Sequence, residues 1–277
     1  MRDFTLHTYK LLLTALKDQQ YTFQTFADFL KNPQPRAIIL RHDVDARKLN
    51  SLRTARLENE MGIVGTYNFR MVPQSFDEAV IREIADMGHE IGYHYEELAV
   101  KKGNFVEAIG LFEKNLATLR QITRIETICM HGSPLSKYDN RKLWEKYDYR
   151  IYHINGEPYF DVDFQEVFYL TDTGRRWDGK HVSLRDKVSN WKLQNQIVKE
   201  KARLENYQQI WQSLPSFHST FDILNQAYNG RLANQIMITI HPQRWENKIL
   251  PWLLELLIQN LKNIVKAFLA KKNAIQR

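Results

Sequence analysis

Ala37-Ile38-Ile39-Leu40-Arg41-His42-Asp43-Val44-Asp45 is an apolar run that stops abruptly at two carboxylates. It reads as a buried strand that delivers acids. Strand side chains alternate faces with a period of two, so Asp43 and Asp45 project to one side and can meet a common ligand or share a proton. One acid alone would be explained as a cap on the following helix, where Asp is favoured by hydrogen bonding and by the helix dipole. Two on one face, beside His42, point to a site, because Asp is rarely buried without a partner.

Outward from this stretch the chain alternates strands and helices. Upstream, residues 4 to 17 and 22 to 31 carry apolar positions at helical spacing, a two-helix leader closed by Pro33 and Pro35. Downstream, a helix over 48–61 stops at Gly62 and a strand follows over 63–69. A helix over 77–87 then leads to a short strand, His89-Glu90-Ile91-Gly92-Tyr93-His94. His89 and His94 have opposite parity, so an extended chain cannot aim both into one pocket, and His94 is the better ligand. A helix over 104–122, a strand over 125–130 ending at His131, and a turn at Gly132-Ser133-Pro134 come next. A helix over 140–146, a strand over 166–170 ending at Thr171-Asp172, helices around 188–212 and 221–228, and a strand at Ile236–Ile240 ending in His241-Pro242 complete the series.

Composition sets the bounds. The chain has 277 residues, 43% hydrophobic and 26% charged, with 11 Gly and 8 Pro, as in folded globular proteins of one or two domains. The single cysteine, Cys129, lies in an apolar run, excludes an internal disulfide and a cysteine-rich zinc site, and reads as a small buried hydrophobe. Near the amino terminus, Leu11–Leu16 is short, follows Lys10 and lacks a cleavage site, so a cytoplasmic protein is expected. The net charge of +7 comes from scattered Lys and Arg without a nucleic-acid motif; an acidic or membrane-borne substrate fits it better than nucleic acid. The segment from Leu250 to Ala270 is striped with apolar residues but interrupted by Glu255, Gln259, Lys262 and Lys266. It is expected to pack on the barrel, with peripheral membrane association as the alternative.

Set side by side, the strand ends carry Asp43 and Asp45, His94, His131, Asp172 and His241. In parallel α/β barrels such ends open onto one face, so these groups are expected to converge. Imidazole and carboxylate are ligands that zinc-like ions prefer, a second carboxylate can take a proton from water, and a histidine across the pocket can return one to a leaving group.

The segments Arg41-His42-Asp43-Val44-Asp45, Gly88-His89-Glu90-Ile91-Gly92-Tyr93-His94 and Ile238-Thr239-Ile240-His241-Pro242 resemble, in order, the first, second and last motifs of the polysaccharide deacetylase family, also called the NodB-homology or carbohydrate esterase 4 family. The resemblance covers residues 36 to 245 and is nearest to the deacetylases of surface-glycan gene clusters. It implies an irregular (β/α)7-type α/β barrel, with residues 1–35 as a helical leader and 246–277 as a C-terminal helix packed on the barrel. It further implies a metal-dependent hydrolase that removes an N-acetyl group from a sugar of a surface polysaccharide or its precursor. Asp43 matches the family's general base, Asp45 its metal carboxylate, His94 its first metal histidine and His241 its general acid, with zinc the implied divalent ion. Four residues after His94, where the family has its second metal histidine, this chain has Leu98; His131 is the replacement, with Glu97 the alternative. The family's arginine motif on the fourth strand is replaced by Met130-His131-Gly132-Ser133-Pro134. Asp172 resembles an acid that tunes the last histidine, while Arg175, Arg176, Trp177 and His42 are candidate substrate contacts. The alternatives are an inactive barrel that binds glycan or a partner, and a hydrolase of a non-sugar amide or a phosphoester.

Overall fold

The computed structural model describes residues 1–132, 136–177 and 217–275. At its centre stands β2 (Ala37–Val44), in which every residue is buried. A strand that is apolar on both faces belongs in the middle of a parallel sheet covered on both sides, and β2 is flanked on both edges. Along one edge runs β7 (Gln235–Ile240). Along the other, β1 (Thr22–Gln24) pairs with positions 37–39 and β3 (Thr66–Phe69) with 41–44. The sheet continues through β4 (Glu90–Tyr95) and β5 (Ile128–Met130) on one side and β6 (Phe168–Thr171) on the other. All pairings are parallel, in the order β5-β4-β3-β2-β7-β6, and the sheet curls into a half-barrel with helices around it. Among the described residues β5 and β6 do not pair with each other; beyond β5 there is only a single parallel bridge between Thr127 and Gly156.

The helices are α1 (Leu6–Asp18), α2 (Phe26–Lys31), α3 (Lys48–Glu60), α4 (Glu78–Asp86), α5 (Glu97–Val100), α6 (Phe105–Arg120), α7 (Pro158–Asp161), α8 (Thr220–Tyr228) and α9 (Ile249–Ile275). Local chemistry sets several of their starts: Thr5, Asp77, Asn104 and Ser219 each accept a backbone N–H of the first turn. Leu12, Leu13 and Leu16 of α1 are fully buried with Ile38, Leu40 and Trp245, each contributing about 1.5–3 kcal/mol by leaving water. A second apolar cluster joins α3, α4 and α6 to β3, β4 and β5. The third, with Phe26, Ala37, Ile39 and Met237, lies on the same β2 face as Arg41 and Asp43 and fills the inside of the curl.

Two expectations need correction. Residues 22–24, read as helix, form β1, so the leader supplies a strand to the sheet instead of covering it. The helix read at 140–146 is present as a 3-10 helix over Asn140–Glu145. In α9 the apolar stripe does not face the body: Glu255 and Gln259 are buried, whereas Leu257 and Leu261 are each 65% exposed. The helices expected around 188–212 lie outside the described residues, as do Ser133 and Pro134; that at 221–228 is present as α8.

The rear face of β2 carries a polar cluster. Glu58, from α3, is fully buried and takes the hydroxyls of Tyr9 (2.6 Å) and Tyr67 (2.8 Å), with His42 Nε2 at 2.8 Å. Inside the curl, Gly92 is required by close approach, since a Cβ there would run into the Asn68 side-chain oxygen.

Near the end of β5, buried Glu157 accepts the backbone N–H of Met130 (3.0 Å) and Tyr159 (2.6 Å). Burial pushes its carboxyl up to about 8, against the pull of those donors and of Arg41 and Arg141. The native chain therefore keeps a proton that the unfolded chain releases near 4.5, so stability falls as pH rises from about 4.5 to about 8. A Glu157→Gln variant should show a thermal midpoint that changes less over that window; an unaltered slope would contradict the assignment.

Candidate metal centre

The sheet register brings the candidate groups together. Asp43 faces Asn68 of β3 across the ladder, His94 lies opposite Cys129, and His42 pairs with Ile240, which sets His241 beside Asp43. Asp45 follows in the turn that ends β2, its N–H bonded to the Asp43 carbonyl at 3.1 Å.

Three ligand-type atoms converge there. Asp45 Oδ1 lies 3.5 Å from His94 Nε2 and 3.1 Å from His131 Nδ1, and the two imidazole nitrogens are 3.3 Å apart. Two donors at ~2.0–2.1 Å from a zinc-like ion, separated by a tetrahedral angle, lie about 3.3–3.4 Å from each other, so these three edges match one face of such a site. Tautomers agree. His94 Nδ1 is 2.9 Å from the Cys129 carbonyl, which can only accept, so Nδ1 carries the proton and Nε2 presents a lone pair. On the far side of His131, Nε2 faces Glu96 Oε2 at 3.8 Å, and Arg70 grips both Glu96 oxygens at 2.7–2.9 Å. The His131 backbone is fixed by Tyr95 (2.9 Å) and Asn140 (2.8 Å).

Asp45 Oδ2 accepts from Gln243 at 3.2 Å, while Oδ1 is buried and receives no hydrogen bond. An orphaned carboxylate oxygen between two imidazoles fits a cation. Burial alone would raise the Asp45 pKa, but His131, His94 and His241 hold it well below the usual carboxylate range. Asp45, His94 and His131 could therefore hold a metal ion; a second group, Asp43, His94 and Cys129, is also close enough to share one.

Asp43 is gripped by its own strand. Arg41, two residues earlier and on the same face, donates Nε to Oδ1 (2.9 Å) and Nη2 to Oδ2 (2.5 Å), and Asn68 donates to Oδ1 at 3.2 Å. Burial would push this carboxyl up, yet Arg41 outweighs it and, with His94, keeps it ionised far below the usual range. His94 Nε2 is 4.0 Å from Asp43 Oδ2.

Across the mouth, His241 Nε2 lies 3.9 Å from Asp45 Oδ2. Its Nδ1 is 2.5 Å from Asp172 Oδ1, and the other Asp172 oxygen accepts Trp245 Nε1 (2.8 Å) and the His241 N–H (3.0 Å). Arg244 Nη1 reaches Asp172 Oδ1 at 2.6 Å and also lies 2.7 Å from His241 Nδ1. A guanidinium only donates, so once Nδ1 holds its proton the Asp172 carboxylate takes both donors. Burial raises the Asp172 carboxyl, but Arg244 and His241 outweigh it and leave it below the usual range.

Asp43, Asp45, His94, His131, His241 and Asp172 are thus brought together, and three proposed contacts, His42, Trp177 and Arg175, are not. His42 is fully buried on the opposite β2 face, bound by Glu58 and near Tyr9 (3.1 Å), out of reach of any substrate. Trp177 is buried, stacked on Phe4 and donating to Thr220. Arg175 donates to the Trp252 carbonyl at 3.0 Å beneath α9. Arg176 is exposed. Glu97, the alternative third ligand, is turned away from the centre and bonds Tyr93, Asn115 and its own turn; burial pushes it up to about 7. Leu98 sits in the apolar core. Sequence reasoning missed Arg41, Glu96, Arg70, Arg244 and Gln243. For Arg41 the shared parity with Asp43 was the available signal.

The chain matches no known family in a scan of family models, and a search of curated proteins finds no significant relative.

Proposed function

We propose that this protein is a metal-dependent hydrolase that removes an N-acetyl group from a sugar of a surface polysaccharide or its precursor, on an irregular seven-stranded (β/α) barrel of the polysaccharide deacetylase type. The observation that carries the reading is the triangle of ligand-type atoms, Asp45 Oδ1, His94 Nε2 and His131 Nδ1, with one further carboxylate and one further imidazole beside it. A divalent ion of the zinc type supplies Lewis acidity toward a carbonyl oxygen and a water that is acidic near pH ~7.

The chain's own groups supply the rest. Asp43, kept ionised by Arg41, accepts the proton of the attacking water. His241, with Nδ1–H on Asp172, turns Nε2 toward the mouth and gives its proton to the departing amine. Asp172, itself held by Arg244, fixes the orientation of that ring, as an outer carboxylate does for a metal-bound histidine. The products are acetate and an amino sugar.

A His241→Ala variant should lose ~10²–10⁴-fold in kcat, the usual share of a general acid, while binding metal as before. Acetate release from N-acetylated sugars, measured beside metal content, checks this, and a variant with full turnover would refute the role. A second reading, a barrel that binds glycan without turnover, is favoured by Arg41's grip on both Asp43 oxygens, which makes Asp43 a weak base. Product analysis against sugar acetamides, non-sugar acetamides and phosphoesters separates the readings.

A further inference from the structure

The outer face of α9 has no role in the reaction proposed above. Leu253, Leu254, Leu257, Ile258, Leu261 and Ile264 are all exposed, from 42% to 68% of their surface. At 100° per residue they occupy one sector roughly 140° wide. Nothing among the described residues covers it.

This orientation is pinned from the other side. Trp252 Nε1 donates to the Asp3 carbonyl (2.8 Å), Glu255 pairs with Arg47 (3.3 Å), and Asn263 donates to the Gly174 carbonyl (2.9 Å). The helix cannot bury its apolar sector in the body without surrendering these contacts. An exposed apolar patch this continuous marks an interaction surface.

We propose that α9 lies in the plane of an anionic bilayer surface, apolar sector down, and docks the protein there. Charge complementarity favours that occupant. In sequence α9 has four lysines, Lys262, Lys266, Lys271 and Lys272, against one acid, Glu255, which is turned inward, and the whole chain carries +7. Exposed Lys262 borders the sector, about 40° beyond Ile258, and a basic residue beside an apolar face adds attraction to acidic lipid headgroups. A second copy of the chain fits less well. Leu254, Leu257, Leu261 and Ile264 do follow a coiled-coil 3-4 spacing, but the flanking positions are Leu253, Ile258 and Asn260, with no opposite charges to specify a partner. The sector is also wider than a two-helix seam. Among the described residues no helix is long and apolar enough to cross a membrane, so the contact is in-plane. Gly174, the anchor of Asn263, is two residues past Asp172, so the docked helix rests on the loop that carries a site residue.

The test is cosedimentation of the full chain with vesicles of equal parts phosphatidylcholine and phosphatidylglycerol, with pure phosphatidylcholine vesicles alongside, and light scattering without lipid. The expected result is binding to the anionic vesicles that weakens with added salt and is weaker on the neutral ones. A Leu257→Glu/Leu261→Glu double variant should bind at least about tenfold less, because two aliphatic contacts become charged, with unchanged far-ultraviolet dichroism and metal content. No binding by the unsubstituted chain, or equal binding by a folded double variant, would overturn the proposal. So would a lipid-free dimer that the double variant converts to monomer without any vesicle binding. If the double variant fails to fold, the lipid and salt comparison on the unsubstituted chain still decides.

Discussion

Asp45→Ala is expected to empty the metal centre and reduce turnover to background. The substitution deletes Oδ1, the oxygen that completes the triangle with His94 and His131 and has no other partner. Losing an outer-shell partner costs ~10–100-fold in metal affinity, and losing a ligand should cost more. Elemental analysis after dialysis, followed by acetate release with zinc restored, checks both halves. The cost to folding should be small, because Asp45 is only partly buried and Gln243 loses a single long hydrogen bond of 3.2 Å. A variant that retains stoichiometric metal would break the assignment at its root.

Asp43→Asn should do the opposite to metal and the same to turnover: the ion stays and kcat falls by ~10²–10⁴. This variant also has a structural effect. It leaves Arg41 buried and charged without its counter-ion, and breaking a buried pair from one side costs ~3–5 kcal/mol. Lost activity alone would therefore be ambiguous. The double variant Arg41→Met/Asp43→Asn removes both charges and should recover most of the stability while remaining inactive. Denaturant midpoints and acetate release read the two effects separately. Activity restored along with stability would mean that Asp43 is a structural anchor and not a base.

Much of this site was legible in the sequence because strand parity and strand ends are simple rules. Asp43 and Asp45 share a side, His94 and not His89 turns inward, and His131 at the end of β5 comes within 3.1 Å of Asp45. What failed was inference from adjacency along the chain. His42 stands beside Asp43 in sequence and therefore on the opposite face. Arg175 and Trp177 follow Asp172 through a turn at Gly174, which sends them under α9 and into the Trp245 cluster. Three-residue β1 carries too little pattern to reveal itself, since it exists only by pairing with β2. Glu96, Arg70, Arg244 and Gln243 act through space from loops and turns, where no periodicity announces direction.

Asp43 and His42 are covalent neighbours with separate occupations, and the pleat is what divides them. In front of β2 an injured side chain is expected to disable the proposed chemistry, with an added folding cost where the Arg41–Asp43 pair is broken; behind it, where Glu58 gathers Tyr9, Tyr67 and His42, an injury is expected to loosen the molecule and silence the chemistry only as a by-product. Dead variants along this strand thus fall into two alternating pathologies that a functional screen alone would score as one.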